Sequence, residues 1–184
     1  MSLKAIPRDK RQGLLIIFTG NGKGKTTAAL GMVVRAIGYN WRMLMVQFIK
    51  GDWMYGELEG YKKLLPNFEL KRMGKGFVRI MGDDKPIEDH IKAAQDALDY
   101  VRNNMDKNYD LIILDEVNVA IKEGLLTVKD VLNIVKSRPK YLHMILTGRN
   151  APQKLMDVAD LITEMKEIKH PFKRGILAQP GVDY

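Results

Sequence analysis

The chain contains no cysteine. That excludes disulfide staples, thiolate-bound zinc, iron–sulfur clusters and cysteine nucleophiles together. Histidine is scarce: His90, His143 and His170 are the only three, and no two stand at the i, i+4 spacing of a helical metal pair. No run reaches the roughly 20 consecutive apolar residues that a membrane span needs. The opening, residues 1–13, carries Lys4, Arg8, Lys10 and Arg11 without a long apolar centre, so it does not read as a signal peptide. A cytoplasmic location is the expectation. There is no zinc finger, RNP motif or aromatic ladder, which weighs against nucleic acid as a partner. Repeats, low-complexity tracts and Pro/Gly/Ser linkers are missing too.

What is present is a chain of 184 residues, 46% hydrophobic and 28% charged. These values fit one globular domain with a real core. A basic arm over residues 1–12 is expected to precede a single domain over residues 13–184. The arm either covers a bound ligand or frays. Net charge is +8, with a pI near 9.5. The excess is either a solvated lysine-rich surface or a field that draws in anions such as nucleotide phosphates.

Short apolar runs alternate with helical patterns. The runs are 14–18 (LLIIF), 42–48 (RMLMVQF), 111–114 (LIIL), 143–146 (HMIL) and, more weakly, 161–165. Each has the length and branching of a strand buried on both faces. Between them, 25–37 carries Ala28, Ala29, Met32, Val33 and Ala36 on one stripe, and Gly38 suits its end. Residues 86–105 place Ile87, Ile91, Ala94, Leu98 and Val101 on another stripe, and 127–135 starts at Thr127, a capping residue. This alternation predicts an α/β fold, a mostly parallel sheet with helices on both faces. Ligands of such sheets bind at the carboxyl ends of the strands. Residues 71–85 break the pattern. Their glycines (74, 76, 82) and apolar Met73, Phe77 and Ile80 suggest a lid or a binding edge.

After the first run comes Thr19-Gly20-Asn21-Gly22-Lys23-Gly24-Lys25-Thr26-Thr27. The P-loop template is Gly, four residues, then Gly-Lys-Ser/Thr. Gly24, Lys25 and Thr26 match; Thr19 stands where the template has its first glycine. The glycines let backbone N–H groups converge on an anion at the positive end of the next helix. Lys25 can reach phosphate oxygens, the Thr26 hydroxyl is suited to Mg²⁺, and Lys23 is either a further phosphate ligand or a solvated charge. A P-loop also needs a carboxylate at the end of another strand. The run 111–114 ends in Asp115-Glu116. The pair either holds Mg²⁺, directly or through water, or favours a helix N-terminus. Arg149 is either a nucleotide contact or a surface arginine.

Several separate stretches join these: Phe18 to Thr27, Val46-Gln-Phe-Ile-Lys-Gly51, Gly76-Phe77, Leu114-Asp-Glu116, Thr147-Gly-Arg149, and a tail running from His170-Pro-Phe172 through Gly175 and Ala178-Gln179 to Gly181 and Asp183-Tyr184. As a set they resemble the P-loop corrinoid adenosyltransferases, the ATP:cob(I)alamin adenosyltransferase family. The resemblance covers nearly the whole of residues 13–184. It implies a three-layer P-loop NTPase fold of the RecA-like type, usually a homodimer. It implies transfer of the 5′-deoxyadenosyl group of ATP to the Co(I) of a corrinoid, with Mg²⁺ as cofactor and a flavoprotein reductase as electron donor. By the same resemblance Gly20, Asn21, Gly22, Lys23, Gly24, Lys25, Thr26 and Thr27 hold the triphosphate, and Lys25 stabilises it as it leaves. Thr26 and Glu116 are the implied Mg²⁺ ligands, with Asp115 beside them; Asn21 and Arg149 are implied nucleotide contacts. Lys25 and Glu116 are thus the expected catalytic pair. Arg35 and Gln47 match family positions without an assigned role. The family's aromatic pair presses on the corrinoid. Phe77 matches its first member, but Arg79 stands at the second, which puts a full copy of that device in doubt. The competing readings are a P-loop kinase or NTPase acting at the terminal phosphate, a nucleic-acid-stimulated ATPase, and a non-catalytic nucleotide- or corrinoid-binding regulator.

Overall fold

The computed structural model describes residues 6–51, 55–78 and 83–183. Six parallel strands form one sheet: β1 (Leu15–Thr19), β2 (Met43–Gln47), β3 (Phe68–Arg72), β4 (Leu111–Asp115), β5 (His143–Thr147) and β6 (Leu161–Glu164). Their spatial order is β3-β2-β4-β5-β1-β6. The four inner strands are the continuous apolar runs. Every residue of β1, β2 and β4 is buried, as a strand covered on both faces requires.

Alternate residues of these strands feed two separate cores. One contains Leu15, Ile17, Leu44, Val46, Ile112, Leu114, Met144 and Leu146. Over it pack α3 (Ile87–Asn104), α4 (Val117–Lys122), α5 (Val128–Ser137) and α6 (Gln153–Met156). The other contains Ile16, Phe18, Met43, Met45, Ile113 and Ile145 beneath α1 (Lys25–Ile37), with Leu58 of the short α2 (Glu57–Gly60) at its edge. The result is the expected three-layer α/β fold.

The helix stripes are mostly as anticipated. Ala29, Val33 and Ala36 of α1 are buried, and so are Ala94, Leu98 and Val101 of α3. Ile91 departs from its stripe and is 37% exposed; α3 buries the smaller Ala93 and Ala97 instead. Thr127 caps α5 in a reciprocal box with Asp130, which satisfies two orphan N–H groups. Helix α1 ends at Ile37 as expected. The left-handed residue in the following turn is Asn40 rather than Gly38. Strand β3 is not among the apolar runs, because it is an edge strand with only Phe68 and Leu70 buried; its last two residues, Lys71 and Arg72, open the segment expected to form a lid or binding edge.

Parallel strands put all carboxyl ends on one side, so the loops after β1, β2, β4 and β5 meet there. The described part of the basic arm, residues 6–12, lies at the other end. Arg8 and Arg11 both pair with Asp110, just ahead of β4, and Arg11 also stacks over Trp41. Replacing Thr127 by Ala removes the cap of α5 and is expected to cost about 1 kcal/mol. Urea unfolding of the two proteins measures it; an equal midpoint would contradict the capping role.

Candidate active site

The loop after β1 turns sharply because glycines occupy positions that a side chain would obstruct. Gly20 and Gly24 have φ of +94° and +105°, where L-residues are strained. A Cβ on Gly22 would lie 2.7 Å from the Met165 carbonyl oxygen, the same oxygen that accepts the Gly22 N–H at 2.6 Å. The loop is thus pressed against the chain leaving β6. Thr19 earns its place at the template's first glycine through a long-range contact: its hydroxyl accepts the Ala151 N–H at 3.2 Å.

Lys25 opens α1 and folds back over the loop. Its Nζ donates to the carbonyls of Gly20 (2.9 Å) and Gly22 (2.6 Å). Burial pulls its pKa below the ordinary lysine value; Glu116 opposes this, Arg149 adds to it and Asp115 opposes it. A cation held only by neutral carbonyls is suited to trade them for anionic oxygens.

The neighbouring Thr26 hydroxyl donates to Asp115 Oδ1 at 2.8 Å. Asp115 is fully buried at the end of β4. Its Oδ1 also accepts from Thr147 Oγ1 at 2.8 Å, and its Oδ2 from Gln47 Nε2 at 3.2 Å. Three strand ends and the phosphate loop therefore converge on one carboxylate. Glu116 follows in a left-handed conformation, φ 62°, a strained state for a non-glycine residue. Its N–H donates to Thr147 Oγ1 at 2.9 Å. Gly148 makes room for it, since a Cβ there would lie 3.2 Å from Glu116 Oε2. The Glu116 pKa is raised to about 7: burial and, after it, the charge of Asp115 push it up, while Lys25, Lys50 and Arg149 oppose the rise.

A cleft of about 510 Å³ opens between these groups; Lys25, Thr26, Glu116, Lys50, Tyr55 and Phe77 line it. Phe77 is 39% exposed, so its ring is presented rather than packed away. Lys23 pairs with Asp183, and Asp183 lines the same cleft from the C-terminal tail. The tail begins with His170, whose Nδ1 accepts the Phe172 N–H, so its role is a local cap. Asn21 and Arg149 face a second, polar cleft of about 720 Å³ that also takes in Lys166 and Lys173. Thr27 is exposed beside the loop and borders the first cleft. Arg35 is exposed on α1, away from both clefts. Arg79, at the second aromatic position, and Ile80 of the segment expected to form a lid or binding edge lie outside the described residues.

The donor set suits a small hard cation: a hydroxyl and two carboxyl groups, all oxygen. No cluster of three or more Asp, Glu or His forms among the described residues. A Mg²⁺ ion here would therefore draw its other ligands from phosphate and water. Gln47 Oε1, buried with no partner, is an acceptor left open close to the carboxylates. Gln47 and Lys50 belong to the stretch Val46–Gly51, which gives neither a role, and nothing in the sequence marks Glu57, whose ion pair with Lys50 stands on this wall.

The family model described as ATP:corrinoid adenosyltransferase BtuR/CobO/CobP matches residues 11–184. The corrinoid adenosyltransferase of Pseudomonas aeruginosa is 38% identical over 178 residues, covering 96% of this chain and 86% of its own. That of Escherichia coli is 35% identical over 180 residues, covering 96% and 88%. Among solved structures, the flagellar accessory protein FlaH of Methanocaldococcus jannaschii superposes with a TM-score of 0.56 at 15% identity, covering 84% of this chain and 71% of FlaH. That likeness bears on the fold alone.

The raised Glu116 pKa has a stability consequence. A carboxyl that is harder to ionise in the folded chain binds a proton there that the unfolded chain has lost. Stability is therefore lost as pH rises from about 4.5 through about 7. Glu116→Gln is expected to raise the Tm of the ligand-free protein more at pH 8 than at pH 5. Thermal unfolding at the two values checks this, and an equal change at both would contradict it.

Proposed function

The chain belongs to the ATP:corrinoid adenosyltransferase family, and on that premise we propose how its own residues carry the reaction. The enzyme transfers the 5′-deoxyadenosyl group of ATP to the Co(I) of a corrinoid, in adenosylcobalamin synthesis or salvage. Cobalt supplies the electron pair of the new carbon–cobalt bond. The C5′–O bond breaks, and its pair leaves with triphosphate. Nucleophile and electrophile both come from the substrates, so the protein needs neither a covalent residue nor a strong base. Its work is alignment and neutralisation of the leaving group.

One observation carries the assignment of roles: Lys25, Thr26 and Glu116 share a single cleft with the presented ring of Phe77. In this reading the backbone N–H groups of Gly20 to Thr26 hold the triphosphate. Lys25 gives up its two carbonyls for phosphate oxygens and stabilises the charge that builds as C5′–O breaks. Thr26 and Glu116, with Asp115, hold Mg²⁺, which would add positive charge at the leaving phosphates. Phe77 meets the corrinoid. Lys23, released from Asp183, adds a charge, while Asn21 and Arg149 contact the nucleotide.

The finer expectations belong to the same proposal. As the family resemblance implies, the electron for Co(I) comes from a flavoprotein reductase. A homodimer is supported by the apolar groove of about 560 Å³ beside Met32, Tyr39 and Trp41. No helix among the described residues is long and apolar enough to cross a membrane, in keeping with work in the cytoplasm.

Mixing protein, Mg²⁺, ATP and chemically reduced corrinoid is expected to yield free triphosphate and a light-sensitive product. ADP as product, without a photolabile corrinoid, would contradict the reading. Lys25→Ala is expected to lower kcat by roughly two to three orders of magnitude. Phe77→Ala should spare ATP binding while raising the KM for corrinoid; a change in ATP affinity alone would reassign Phe77.

A further inference from the structure

Gln47 is the last residue of β2 and is fully buried. Its side-chain amide has two N–H groups and one carbonyl. The N–H side faces two carboxylates: Nε2 lies 3.2 Å from Asp115 Oδ2 and 3.4 Å from Glu57 Oε1. Turning the amide over would set its oxygen against both of them and strand both N–H groups, so the carboxylates fix its orientation. Glu57 is itself held by Lys50, and the Lys50 ammonium sits 4.4 Å from the centre of the Tyr55 ring. The amide is therefore clamped, not free to rotate.

This arrangement leaves Oε1 buried with no hydrogen-bond partner. An unpaired buried acceptor is destabilising, and such exceptions in native structures call for an explanation. The missing donor must reach an atom on the same amide as Nε2, beside Asp115. The backbone of Gln47 meanwhile faces the other way: its carbonyl accepts both the Met73 and the Gly74 N–H at 3.1 Å. A Cβ on Gly74 would lie 2.4 Å from the Ile49 carbonyl carbon, so the segment that leads to Phe77 is seated directly on this strand end.

We propose that Gln47 is a positioning residue for the cation: its clamped amide fixes Asp115, and its open Oε1 accepts a hydrogen bond from a water ligand of the bound Mg²⁺. The inference rests on the reading that Thr26, Asp115 and Glu116 hold that ion, and it adds a residue that does not touch it. Mg²⁺ retains several of its waters when bound, and partners of those waters orient a metal site as its direct ligands do. Through its main chain the same residue ties the cation end of the cleft to the Phe77 end.

The test needs no corrinoid. The Kd of ATP is measured by calorimetry for the wild type and for Gln47→Met, each with Mg²⁺ and with EDTA. Mg²⁺ is expected to tighten binding to the wild type. Gln47→Met is expected to lose roughly 10- to 100-fold of that tightening and to keep the wild-type affinity in EDTA. Equal losses in both conditions would mean a merely structural role and overturn the proposal, as would no loss at all. A wild type that Mg²⁺ does not tighten would overturn the cation reading and this inference with it. If Gln47→Met does not fold, Glu57→Ala decides: freeing the amide should produce a smaller loss confined to the Mg²⁺ condition, and a loss in both conditions or in neither would overturn the proposal.

Discussion

A fully buried carboxylate has to be compensated, and Asp115 is compensated by hydrogen bonds from Thr26, Thr147 and Gln47. Those donors stand on α1, β5 and β2. Strand β5 lies next to β4 in the sheet, which sets Thr147 beside the two acids. Thr147 donates to Asp115 and accepts the Glu116 N–H with the same oxygen. Removing Asp115 would therefore leave several polar groups unpaired as well as one fewer acid. The position of Thr26, the turn at Glu116 and the orientation of Gln47 all depend on that one side chain.

In the proposed reading the site assembled around it holds polyphosphate, with little in it to abstract protons or attack substrate. Lys25 waits on two carbonyls, Lys23 on Asp183, and Arg149 stands exposed at the neighbouring cleft. On the same reading Lys25 and Lys23 exchange these partners for phosphate oxygens. That inventory suits a reaction in which both reacting atoms belong to the substrates and the protein must receive a highly charged leaving group.

Much of this was legible from the chain. The inner strands are uninterrupted apolar runs, and the glycine loop and the acid pair stand at the ends of two of them, so the fold and the meeting of loop and acids could be read locally. Strand β3 could not: an edge strand buries only alternate residues, and FELKR resembles a polar connector. Thr19 looked like a flaw in a motif because its partner, Ala151, is 132 residues away. The buried link from Gln47 to Glu57 was hidden for a related reason. Its energetic sense depends on Asp115, which lies 68 residues further on and is brought alongside by the β2–β4 pairing. Local pattern identified the chemistry, while the contacts that orient it are products of sheet order.

The central claim is that the glycine loop grips the group that leaves. Binding of inorganic triphosphate with Mg²⁺ to the ligand-free protein, measured by calorimetry in competition with ATP, tests it most directly. The account predicts that triphosphate binds and displaces ATP competitively, and that Lys25→Ala abolishes this. Triphosphate that fails to compete, with adenosine alone displacing ATP, would contradict it.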